Sequence, residues 1–119
     1  MTIKNRSYYI GQLWDWGFLD ECFRPTKIKV TDIDGFVERN GKFLLIETKS
    51  NDAKIPTGQQ IMFDNMIKTS LFTVFIIWGN ANQPEKGRLF TRKKTIEYPT
   101  LNEVKIIQIV KAWFKYANN

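Results

Sequence analysis

The chain contains no histidine and a single cysteine, Cys22. The first absence removes the usual zinc ligand sets and every acid–base triad built on imidazole. Any metal must then be held by oxygen donors, which favours Mg²⁺ or Mn²⁺. The lone cysteine excludes an internal disulfide framework and is expected to be buried and inert. Long apolar runs are missing too. The longest, Leu71 to Trp78, falls well short of the ~20 residues that cross a bilayer and reads as a buried strand. Residues Met1 to Arg6 lack the apolar centre of a signal peptide, so the expected location is cytoplasmic, with no membrane partner. There is no internal repeat and no low-complexity segment.

What is present suits one domain spanning the whole chain. Its 119 residues are 43% hydrophobic and include four tryptophans, enough for a real core. The net charge of +6 makes a polyanion a natural partner, although general solubility accounts for the charge equally well.

The expected order of elements is helix, hairpin, helix, two strands, helix. The first helix spans about residues 5–21, with Ile10, Leu13, Trp14, Phe18 and Trp16 as its apolar stripe, and Pro25 ends it. An extended run from Lys27 to Arg39 follows, with room for a short extra strand before Thr31. Thr57 and Gln60 have capping-box spacing and open a second helix, to about Thr69, that packs Ile61, Phe63, Met66 and Ile67. Gly79 to Gly87 reads as a polar loop and Arg88 to Arg92 as a short strand. Pro99-Thr100, with Glu103, starts the last helix, where Val104, Ile107, Val110 and Phe114 have helical spacing for the core. The architecture expected is α/β, a mixed central β-sheet flanked by helices.

The hairpin is the most specific signal. Asn40-Gly41 separates two strand-like runs, and both central residues of a type I′ turn need positive φ. With these two as the loop, Asp34 sits opposite Glu47, and Asp32 opposite Lys49. Side chains so opposed have Cβ atoms roughly 4.5–5.5 Å apart, where like charges repel. Asp34 and Glu47 therefore need a proton, a lysine or a metal ion between them. Lys49, two residues after Glu47, projects from the same sheet face. Two acids and one ammonium thus share a patch suited to a divalent ion beside a phosphate. For Asp32, an ion pair with Lys49 and a further metal ligand are both open.

Phosphodiester hydrolysis needs a metal to offset charge on the phosphate, an activated water, and a nearby cation. Asp34 and Glu47 supply carboxylate oxygens, the backbone carbonyl of Thr48 a third donor, and Lys49 a group to orient the water. No histidine is required.

Asp34, then Glu47 thirteen positions later, then Thr48-Lys49, resembles the signature of the PD-(D/E)XK nuclease superfamily. The run Asp34-Gly35-Phe36-Val37, continued by Asn40-Gly41-Lys42-Phe43-Leu44-Leu45-Ile46-Glu47-Thr48-Lys49, is similar to the VRR-Nuc-like and Holliday-junction-resolvase-like branches. Ile33 stands where the literal motif has proline. The resemblance covers about residues 5–80 and implies a restriction-endonuclease-like core and Mg²⁺- or Mn²⁺-dependent cleavage of DNA. It further implies that Gln59, ten residues after Lys49, contacts the water or phosphate, and that an acid on the first helix supports the metal, with Glu21 the best placed ahead of Asp20 and Asp15. The family core has three strands before its middle helix, where two long ones are evident here.

Lys42, Arg88, Arg92, Lys93 and Lys94 are candidates for contacts with the DNA backbone, or else solvated charges that blunt a strand edge. The tryptophans read as core, with Trp16 the one to watch for base stacking. Cutting both strands of a duplex would favour a homodimer, and a partner protein for targeting fits a chain of this size. The rival reading is a nuclease-fold module that binds DNA or a protein without cleaving.

Overall fold

The computed structural model describes residues 14–119. The chain divides into two compact units, Met1–Asp32 and Ile33–Asn119. In the first, a 3₁₀ helix runs over Trp16–Phe23 and opens on Asp15, whose carboxylate accepts from the Gly17 amide at 2.9 Å. A three-residue turn does not keep a 3.6-residue stripe on one face. Accordingly this helix buries none of its residues. Trp14 and Phe18 are exposed, and Trp16 stacks on Trp14 with ring centroids 5.3 Å apart. Ile10 and Leu13 lie outside the described residues. Cys22 is exposed, not buried as its residue type led us to expect. Lys27 to Val30 form no strand.

The second unit carries the sheet. Its elements are β1 (Gly35–Arg39), β2 (Lys42–Lys49), α1 (Thr57–Lys68), β3 (Phe72–Asn80), β4 (Gln83–Phe90), β5 (Thr95–Tyr98) and α2 (Glu103–Ala117). The strands lie in chain order. Neighbours are antiparallel except β2 and β3, which are parallel and joined through α1. The fold is therefore α/β with a central mixed sheet and helices packed on it. Asn40 and Gly41 take positive φ, 53° and 75°, and the hairpin has the expected register, from Arg39↔Lys42 to Gly35↔Ile46.

Side-chain alternation in β2 and β3 splits the interior into two cores. Leu44 and Phe75 pack with Leu101, Ile109, Trp113 and Ala117. Leu45, Val74, Ile76 and Trp78 pack with Phe63 of α1. Residues of successive parity point to opposite faces, so α1 and α2 cover opposite faces of the sheet.

Several local expectations are corrected. Thr57 makes no capping bond; Pro56 occupies the N-cap, and Gln60 donates instead to Asp64 at 2.9 Å. Ile61 is exposed. Asn102, not Thr100, caps α2 by accepting from the Lys105 amide at 2.8 Å. Ile109, Trp113 and Ala117 face the core with Val110 partly buried against it, while Val104, Ile107 and Phe114 are exposed. The supposed loop from Gly79 to Gly87 is the close of a β3–β4 hairpin, with a register shift at Trp78/Gly79. Pro84 sits in β4 beside that irregularity, where a sheet tolerates proline. Gly79 allows the close approach: a Cβ there would lie 2.3 Å from the Gln83 carbonyl oxygen.

Phe63 is fully buried and ties α1, and hence Gln59, to the sheet. Phe63→Ala should cost about 3–5 kcal/mol, measured by urea unfolding. A loss under ~1 kcal/mol would show that α1 is held by something else.

Candidate functional site

β1 ends its ladder with β2 at Gly35↔Ile46. The next hydrogen-bonded rung would pair Ile33 with Thr48, and there a side chain takes over. Asp34 Oδ2 accepts from the Thr48 amide at 2.8 Å and from Thr48 Oγ1 at 3.0 Å. The Phe43 amide bonds Leu71 on the β3 side, so odd-numbered residues of β2 bond toward β3 and even-numbered ones toward β1. The carbonyl of Thr48 consequently points toward β1, past the end of the ladder.

Glu47 is only 9% exposed. Its carboxyl is raised above the ordinary value of 4.5, first by burial and then by the charge of Asp34; Lys49 opposes the shift. The neighbouring Asp34 carboxylate favours the protonated form, and the side chain of Gln59 favours the charged form. The four side chains expected to act together, Asp34, Glu47, Lys49 and Gln59, are thus gathered at one end of β2 under the start of α1. Gln59 Oε1 is buried and finds no partner among the described residues.

These groups suit a hard divalent cation. Two carboxylates in mutual repulsion, a carbonyl beyond the ladder and an orphaned amide oxygen are all oxygen donors, the set that Mg²⁺ or Mn²⁺ takes. Among the described residues no group of three or more histidine, cysteine, aspartate or glutamate side chains occurs, so the remaining coordination would come from water and substrate. Glu21 and Asp32 belong to the first unit. Glu21 pairs with Arg24 at 3.0 Å, and Asp32 is exposed.

The expected DNA-contacting residues are not gathered in one place. The register Glu47↔Ile76↔Arg88 puts Arg88 on the face of Glu47, two strands away. There it pairs with Glu97 and lies 5.2 Å from the Trp78 ring. Lys42 is five residues from Glu47, roughly 17 Å along the strand, over the Tyr116 ring at 5.0 Å. Arg92, which donates to Ser70, and Lys93 and Lys94 lie in the β4–β5 turn.

Lys86 was missed because it sat in the supposed loop. The register Lys49↔Trp78↔Lys86 places it in one row with the site lysine. It lies 5.5 Å from the Trp78 ring and 3.6 Å from Asp52. Trp78 Nε1 donates to the Ala53 carbonyl at 2.7 Å. Together these contacts hold the 50–56 loop that leads into α1 and Gln59. The strand alternation of Lys86 with Arg88 was the signal available.

No protein-family model matches the chain, and neither a curated protein nor a solved structure is significantly similar to it. No helix among the described residues is long and apolar enough to cross a membrane.

A carboxyl whose folded pKa is raised favours the fold fully below its ordinary value of 4.5 and opposes it as the pH climbs through the raised one. In metal-free buffer at pH 7, Glu47→Gln should therefore melt a few degrees higher than wild type. The gap should close on acidification below the ordinary value. A variant less stable at pH 7 would contradict the electrostatic picture.

Proposed function

We propose that the chain is a divalent-metal-dependent nuclease that hydrolyses DNA phosphodiester bonds, with Asp34, Glu47, Lys49 and Gln59 as its working residues. The observation that carries this is the convergence of those four groups at the end of β2, with Glu47 buried beside Asp34. A purely structural ion pair has no need of two acids so placed. The resemblance of Asp34, Glu47 and Lys49 to the PD-(D/E)XK signature supports the same reading.

A bound Mg²⁺ or Mn²⁺ would offset charge on the scissile phosphate and polarise the attacking water. Asp34, Glu47 and the Thr48 carbonyl would hold it. Asp34 is fixed for that task by its two bonds from Thr48. Lys49 orients the water and counters the negative charge that grows on the phosphate. Gln59, anchored through α1, holds the water or a phosphate oxygen. Water adds to phosphorus and the bond to the leaving sugar oxygen breaks; no redox change occurs. Lys86 and Arg88, on the same face two strands over, would exchange their partners Asp52 and Glu97 for the phosphates of a bound strand.

The proposal includes a cytoplasmic location, a homodimer for cutting both strands and room for a targeting partner. It extends to branched DNA as a substrate, by the resemblance to junction resolvases.

Supercoiled plasmid and a four-way junction, each with Mg²⁺, with Mn²⁺ and with chelator, test the proposal. Cleavage should require metal and vanish in Glu47→Ala, and Lys49→Ala should slow it about 10²–10³-fold. DNA binding without cleavage in either metal would overturn the assignment in favour of a binding module.

A further inference from the structure

A second site lies on the opposite face of the sheet. Between α2 and the β4–β5 end of the sheet is a cavity of about 540 Å³, within the size of small-molecule sites, roughly 300–1,000 Å³. Its wall carries three cations, Arg92, Lys93 and Lys105, and four aromatic rings, Phe72, Tyr98, Trp113 and Tyr116. No aspartate or glutamate lines it. Glu97, the nearest acid in sequence, sits between Ile96 and Tyr98, so alternation turns it to the other face, where it pairs with Arg88.

Cations lie against two of the rings. Lys105 Nζ lies 5.8 Å from the Tyr98 ring and Lys42 Nζ 5.0 Å from that of Tyr116. Arg92 is steadied by its bond to Ser70, which also lines the cavity. Trp113 is 6% exposed, and its indole Nε1, buried, finds no acceptor among the described residues. A buried donor left unsatisfied costs free energy, so this indole is a sensitive reporter of any change beside the cavity.

Aromatic rings, a rim of cations without an acid, and hydroxyls at Ser70 and Thr91 define the chemistry of the occupant. It is planar and anionic. We propose that this cavity binds a nucleotide, the base stacked on a tyrosine of the wall, Tyr98 or Tyr116, and the phosphate held by Arg92, Lys93 and Lys105. Base–aromatic stacking and guanidinium–phosphate bonds are the two interactions such a wall offers. The site needs neither metal nor hydrolysis at Glu47, so it stands apart from the nuclease assignment. The nucleotide is either free or a unit of a bound strand; both present the same chemistry.

Calorimetric titration of the full chain in chelator, with adenosine monophosphate, adenosine, inorganic phosphate and a short single-stranded oligonucleotide, tests this. The monophosphate should bind at least tenfold more tightly than adenosine or phosphate alone. Arg92→Ala combined with Lys93→Ala should weaken it at least tenfold, as should Lys105→Ala, with thermal melts confirming that both variants are folded. The Trp113 indole N–H resonance, assigned with Trp113→Phe, should shift on saturation. Competition by the oligonucleotide would identify a strand as the source, and its absence a free nucleotide; either supports the site. Failure of both the monophosphate and the oligonucleotide to bind would overturn the proposal. So would phosphate binding as tightly as the monophosphate, or binding indifferent to all three cations.

Discussion

The register of the β1–β2 hairpin is the constraint on which the rest of the second unit depends. Asn40 and Gly41 adopt the left-handed conformation that a two-residue turn demands. That choice aligns Gly35 with Ile46, and everything on β2 follows by alternation. Leu44 and Leu45 enter different cores, and Glu47 falls on the α1 face beside Asp34. A slip of one residue would exchange the faces of every side chain on β2 relative to its partner. The same parity sends Trp78, Lys86 and Arg88 to the face of Glu47, and Leu89, Ile96 and Tyr98 to the face of α2.

The site combines two unfavourable features, burial and like charge, on one carboxyl. Such an arrangement does not help the fold; it is sustained by the cores on either side. Phe63 and Trp78 hold α1 and the 50–56 loop in place, and Gln59 comes with them. Asp34 is held by the backbone it replaces in the ladder. The candidate ligands are thus presented by rigid strands and a packed helix, as a preorganised ion site requires.

The central part of this arrangement was legible in the sequence. Asn40-Gly41 gave the register, and the register gave the pairing of Asp34 with Glu47; Gln59 came from the resemblance alone. What could not be read has physical causes. Val104, Ile107 and Phe114 have helical spacing, but so do Ile109, Trp113 and Ala117, and periodicity alone does not say which stripe faces inward. Thr57 and Gln60 fit a cap that Pro56 pre-empted. The strand read over Arg88 to Arg92 begins earlier, at Gln83, because its polar first half is paired only through the tertiary hairpin with β3. With that half read as loop, Lys86 was lost, and the basic residues lie at separate places on the sheet. The cavity near Trp113 was equally invisible, since its walls come from β3, β4, β5 and α2.

Metal binding at the paired carboxylates is the claim on which the functional account turns, and it is measured most directly by titrating Mn²⁺ and following its electron paramagnetic resonance signal. Wild type should bind the ion, and the variant combining Asp34→Asn with Glu47→Gln should not, while retaining its fold. Binding that is undiminished in the double variant, or no binding by wild type, would contradict the account.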